Sequence, residues 1–211
     1  ARSNEYVDKK SGVSARLTIA AYENAVSAAE RRAIINEEKN TIIWLSDLAG
    51  IIPSITGKIE LVYEGEQEGP YQVAYNLLEK AIRTQFAQYF PGPETFKKRK
   101  GTPEKENPYK VVINWFDAGN SLSIFSDLKD ADKMQILYKV SGLDALVRKY
   151  FNAPSEKEHT LLMELVLHGL AAYSLISKKV VEGKTEFKDL MGSMLNLGSD
   201  DHDELDETDF N

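Results

Sequence analysis

Apolar residues recur along this chain mostly at spacings of three and four, the period of a helix with one inward face. Behind Ser14, a candidate N-cap, Ile19, Tyr22, Val26, Ala29 and Ala33 form such a stripe and predict a helix over 15–36 with that stripe inward. A shorter helix is expected after Ser46, with Leu48, Ile51 and Ile52 inward and Pro53 near its end. Residues 57–69 alternate weakly around Ile59, Leu61 and Tyr63 and read as a short strand or an extended connector. Pro70 suits a first helical position, and Val73, Leu77, Ala81, Ile82 and Phe86 carry a stripe to about residue 90.

Further along, Asn107 and Pro108 are a cap and a first helical position. Tyr109, Val112, Ile113 and Phe116 follow at i, i+3, i+4 and i+7, and Gly119 stops the run. The β-branched content there argues for a strand, but the spacing favours a helix. Residues 121–125 are a candidate extended segment. Asp130 is placed to cap a helix through about residue 140, and Ser141 or Gly142 to start another ending near 151. Ser155 with Glu158 three residues on is a capping box, and the helix it opens is expected to reach about residue 181. Thr185 is a candidate cap for a last helix through about 195. The whole reads as an all-α fold with at most a short β segment near 58–63 or 121–125. No repeat at a solenoid period is apparent.

Four of the seven prolines fall in residues 91–108 among dense charges, the composition of a linker or long exposed loop. The expected organisation is a helical domain over 1–90, that linker, a second helical bundle over 109–197, and a tail over 198–211. Formal charge is -7, from 33 acidic and 26 basic residues. The last fourteen residues, GSDDHDELDETDFN, hold seven carboxylates and no Lys or Arg, so residues 1–197 balance at 26 and 26. That tail, with Leu205 and Phe210 as its only large apolar residues, is expected to be disordered. A neutral body argues against non-specific binding to nucleic acid. With no Cys, disulfides, thiolate zinc sites and cysteine nucleophiles drop out, and a reducing compartment, the cytoplasm, is expected. The most apolar stretch, 161–176, carries Glu164 and His168 and reads as a buried helix rather than a membrane span. No signal peptide is visible, and the opening ARSNEYVDKK reads as an internal piece of a longer protein.

Few residues are arranged for chemistry. Gly183-Lys184-Thr185 looks like the end of a phosphate-binding loop, but Lys178 stands where its first glycine belongs, and a helix-ending Gly with an N-cap Thr is the expected role. His159 and His168, nine residues apart on one helix, face opposite ways and cannot share a metal. His168 reads as a packed core or groove residue, and His202 as part of a solvated anionic tail. No Ser sits in GxSxG, so a hydrolytic triad has no support. Lys97, Lys98, Arg99 and Lys100 form the one basic run and read as a solvated loop. Arg16 in SGVSAR is the exception. In the first turn of a helix, where free N–H groups and the positive helix end disfavour a cation, an Arg reaching past the end joins those groups in favouring an anion, and phosphate is the obvious candidate. The competing role is a surface ion pair with Asp8 or Glu5.

SGVSARLTIAAYENAVSAAERRAI resembles the start of the helical lid of AAA+ ATPases of the MoxR and magnesium chelatase I subunit group, where a Ser-x-Arg helix start carries the sensor 2 arginine. IIWLSDLAGIIPSITGKIEL is similar to the next lid segment and LVYEGEQEGPYQVAYNLLEKAI to its closing stretch, so the resemblance spans about residues 1–90. It implies that Arg16 is a cofactor-binding residue contacting nucleotide phosphate. It also implies that ATP and Mg2+ are the cofactors of the full-length protein, bound mainly by an upstream AAA+ core whose phosphate-binding loop, Walker B strand, sensor 1 and arginine finger this chain lacks. The implied partners are that core and neighbouring subunits of a ring, with no catalytic residue and no metal ligand in this chain. Gly57-Lys58 stands where many such lids have His-Arg, so a role tied to that pair is not carried over. Residues 109–197 look like a helical extension that follows the lid in bacterial ATPases labelled magnesium chelatase, expected to hold a protein partner. The alternative from another class is a free-standing helical interaction module with no nucleotide link, and a third is a nucleic-acid binder acting through residues 97–100.

Overall fold

The computed structural model describes residues 4–190 apart from 9, 11–12, 97–106, 154 and 182. The described chain is mostly helical: α1 (Leu17–Ile35), α2 (Ile52–Thr56), α3 (Tyr63–Glu68), α4 (Pro70–Tyr89), α5 (Lys110–Asp117), α6 (Asp130–Tyr138), α7 (Leu143–Tyr150) and α8 (Glu156–Ala172). Three short strands, β1 (Leu122–Phe125), β2 (Ser177–Val181) and β3 (Lys184–Lys188), form one antiparallel sheet in the order β1-β3-β2.

Where periodicity and punctuation agree, expectation and structure coincide. Pro70 opens α4, and Val73, Leu77, Ile82 and Phe86 are buried, although Ala81 is exposed. Tyr109, just before α5, and Val112 and Phe116 within it are buried, and the run ends at Gly119 with φ of 86°. Gly142 precedes α7 in the left-handed region. Ser155 caps α8 by accepting a hydrogen bond from the Glu158 N–H at 3.2 Å while its hydroxyl donates to the Glu158 carboxylate at 2.8 Å.

Elsewhere the structure corrects the pattern. Helix α1 buries Ala25, Ala29, Arg32 and Ala33, while Ile19 and Tyr22 face solvent. The helix turns its small side chains toward a 3-10 turn (Leu45–Ile51) and α2, where close backbone approach outweighs the larger apolar area of the other face. Pro53 lies in the first turn of α2, as its fixed φ and missing N–H allow. Residues 63–68 are helical, and among the described residues the alternation before them makes two isolated bridges, Val7 with Leu61 and Val13 with Ile59. Asp130 does not cap α6, because its carboxylate is engaged by other elements.

Two larger differences lie at the end of the chain. Helix α8 stops at Ala172 because Ser174 adopts φ of 53°, letting the Leu175 N–H bond back to Leu170 O at 2.9 Å, a closure normally made by glycine. Beyond it, 177–188 forms a hairpin rather than a helix end and a new helix. Gly183, with φ of 76°, lies in its turn, and Thr185 stands within β3. The rest of the helix expected to residue 195 lies outside the described residues from 191 onward, as do 97–106 of the expected linker and the whole tail.

The buried core runs without interruption from Val73, Phe86 and Phe90 to Tyr109, Val166 and Leu170. The described ends of the Pro-rich segment are anchored to it: the Tyr109 hydroxyl donates to Pro91 O at 2.5 Å, and Phe96 packs edge-on against the Tyr109 ring.

Candidate functional site

Arg16 is the residue immediately before α1, and its side chain is exposed. Its entry angle is set from two sides. The Ser14 hydroxyl accepts the Arg16 N–H at 3.2 Å, and the Ser14 N–H donates to Lys58 O at 2.9 Å. Residues 6–8 and 13–14 lie antiparallel to 58–62 through further bonds from the Asp8 N–H to Glu60 O and from the Val62 N–H to Tyr6 O. Lys58 therefore lies opposite Ser14, two residues from Arg16, a proximity the sequence did not announce. Among the described residues Arg16 makes no ion pair, so the pairing with Asp8 or Glu5 is not formed.

At the opposite end of α1, sixteen residues and about 24 Å along the helix axis, Arg32 is buried in a polar cluster that pattern reading did not single out. Its guanidinium holds Asp47 with two hydrogen bonds, at 3.0 and 3.1 Å, and donates to Asp130 at 2.7 Å, to Thr41 at 2.8 Å and to Ile42 O at 2.9 Å. Asp130, from the second half of the chain, also accepts from Trp44 Nε1 at 2.7 Å and Thr41 at 3.0 Å and pairs with Lys157 at 2.7 Å. Burial alone raises a carboxyl's pKa, but the donors Lys157, Trp44, Arg32 and Thr41 outweigh it and hold Asp130 below the ordinary carboxylate range. One turn on, Lys133 is fully buried against the Trp44 ring and donates to Ser46 at 2.5 Å, while the Leu45 N–H donates to Glu164 at 3.1 Å. Burial lowers the pKa of Lys133 and raises that of Glu164, each partly opposed by the other's charge. Two clues were available: Glu164 stands inside the most apolar stretch, and Arg32 lies beside the Ala25-Ala29-Ala33 row. A charge on a buried face implies a partner.

The two described histidines make structural contacts. His159 Nε2 lies 2.8 Å from Asp144, linking α8 to α7. His168 packs edge-on against Phe187, and Lys178, ion-paired with Glu79, offers its ammonium to His168 Nδ1 at 3.4 Å. Burial first, and the Lys178 charge second, push the His168 pKa well below its usual value. A group whose folded pKa is depressed contributes stability above its unfolded pKa and loses it as pH falls. Acidification from pH 7.5 to pH 5.5 is therefore expected to cost the parent about 1.4 kcal/mol more than it costs His168→Leu, read from urea midpoints at the two pH values. Equal losses would refute a neutral, buried His168.

The remaining candidates add nothing to a site. Gly183-Lys184-Thr185 is a hairpin turn and strand, not a phosphate loop. Lys97 to Lys100 and His202 lie outside the described residues. Among the described residues no group of His, Asp or Glu is placed to hold a metal ion, and no helix is long and apolar enough to cross a membrane. No known family model, curated protein or solved structure matches the chain.

Proposed function

We propose that this chain is the lid and helical extension of an AAA+ ATPase of the MoxR and magnesium chelatase I subunit type, with Arg16 as the arginine that reaches nucleotide phosphate. The observation that carries the proposal is the presentation of Arg16: exposed, with no ion pair among the described residues, at the start of a 19-residue helix whose entry is fixed by Ser14 and Lys58. A planar guanidinium with five donors matches a phosphate edge, and the positive helix end adds to it. ATP and Mg2+ would sit on an upstream core domain or a neighbouring subunit of a ring. Ile19 and Tyr22, exposed on the next two turns, offer that core an apolar seat. The Arg32 cluster would make the extension turn with the lid, carrying nucleotide state to whatever protein the extension holds.

In the full-length protein, Arg16→Ala is expected to lower ATP turnover at least about tenfold, the effect of removing a fixed cation from a transferring phosphoryl group. Arg31→Ala, at an exposed position of the same helix, is the control expected to leave turnover within about twofold. Unchanged turnover in a folded Arg16→Ala protein would sink the proposal.

A further inference from the structure

A groove of about 610 Å3 runs between α4 and the C-terminal end of α8, with Glu79, Lys80, Arg83, Thr84 and Ala87 on one side and Ala172 and Tyr173 on the other. Thr84, Ala87 and Ala172 contribute small side chains to its lining. The Arg83 guanidinium lies 4.2 Å from the centre of the Tyr173 ring, a contact that holds a cation at the rim. Lys80 is exposed on the preceding turn. The nearby carboxylates do not cancel these charges. Glu79, itself in the lining, is neutralised by its ion pair with Lys178, and Glu94 approaches Arg83 only at 3.8 Å with both side chains largely in water, where such a pair is worth little. The groove therefore presents two cations, Lys80 and Arg83, beside a mainly apolar lining, complementary to an acidic segment with an apolar anchor.

The chain carries one such segment. Residues 198–211 hold seven carboxylates and two large apolar residues, Leu205 and Phe210. The sheet register delivers it to this side of the molecule: Lys188, the last residue of β3, pairs with Ser177, four residues after Tyr173. The chain thus leaves the sheet beside the loop that walls the groove. The 22 residues from Lys188 to Phe210 can span up to about 70 Å, more than enough to reach it.

We propose that the acidic terminus docks in this groove in cis, with Phe210 against Ala87 and Ala172 and Glu207 and Asp209 facing Lys80 and Arg83. The proposal does not depend on the nucleotide role of Arg16.

The test uses the full chain with p-benzoylphenylalanine in place of Phe210, irradiated and mapped by mass spectrometry. Intramolecular adducts on residues 80–87 or 172–173 are expected. Their yield should fall at least about fivefold in a Lys80→Glu, Arg83→Glu background and stay within about twofold in Lys139→Glu, which reverses a charge away from the groove. Should the double variant fold poorly, the parent decides: raising salt from about 50 to about 500 mM should reduce the yield several-fold, because exposed charge pairs are screened. Adducts elsewhere, adducts to a second copy, or a yield indifferent to both charge reversal and salt would overturn the proposal.

Discussion

Arg32→Ala is expected to lower the unfolding free energy by about 3–5 kcal/mol, the cost of leaving buried charges without their partner. The truncation strips Asp47 of two hydrogen bonds and Asp130 of one, and both carboxylates remain almost fully buried. Lys157 and Trp44 still hold Asp130, so its charge is not abandoned entirely. Domains of this kind are stable by only about 5–15 kcal/mol, so the loss is a large share of the total. Arg32→Lys should recover little, because a point charge cannot reproduce the fork that spans Asp47, Thr41, Ile42 and Asp130 together. Urea denaturation gives the answer: a lowered midpoint with an unchanged slope is expected, and a loss below about 1 kcal/mol would contradict this account of the cluster.

Gly169→Ala is expected to destabilise by about 2 kcal/mol, although alanine is the better helix former by about 1 kcal/mol. A Cβ on Gly169 would stand 2.2 Å from Phe86 Cδ2, far inside contact distance. Phe86 cannot give way. It is fully buried and ringed by Phe90, Tyr109 and Tyr173, with ring centres 5.5 to 6.0 Å away. Overpacking there costs up to about 3 kcal/mol, which outweighs the propensity gain. The pair is separable from a generic helix effect, because Phe86→Leu makes room: Gly169→Ala should cost at least about 1 kcal/mol less in that background than in the parent. Additive losses would mean that α4 and α8 are not pressed together at this point.

The elements most legible in the sequence are those whose stripe and punctuation agree. Helix α4 has Pro70 at its start and Val73, Leu77 and Phe86 inward, and α8 has its Ser155 cap. Its end was not legible, because Ser174 takes a left-handed conformation that its side chain does not advertise. The hairpin after it carried a weak signal, Gly183 flanked by Val180, Val181 and Thr185, which the helical stretch before it masked. The face of α1 was misjudged for a different reason: area favours burying Ile19 and Tyr22, but Arg32 is buried because Asp47 and Asp130 arrive from residues 15 and 98 positions away. Periodicity cannot see such a partner. The start of α1 was legible only in part: Ser14 was expected to cap it, but the helix begins at Leu17 with Arg16 in the capping position, the Ser14 hydroxyl accepts only the Arg16 N–H, and the proximity of Lys58 depends on the pairing of 6–8 and 13–14 with 58–62.

If Arg16 stabilises charge on a transferring phosphoryl group, as proposed, the effect falls on the affinity of the full-length protein for ADP with aluminium fluoride, a mimic of that group, measured beside ADP alone. Arg16→Ala is expected to weaken binding of the mimic at least about tenfold, or about 1.4 kcal/mol, and to change ADP affinity by no more than about twofold. Equal affinity of parent and variant for the mimic would contradict it.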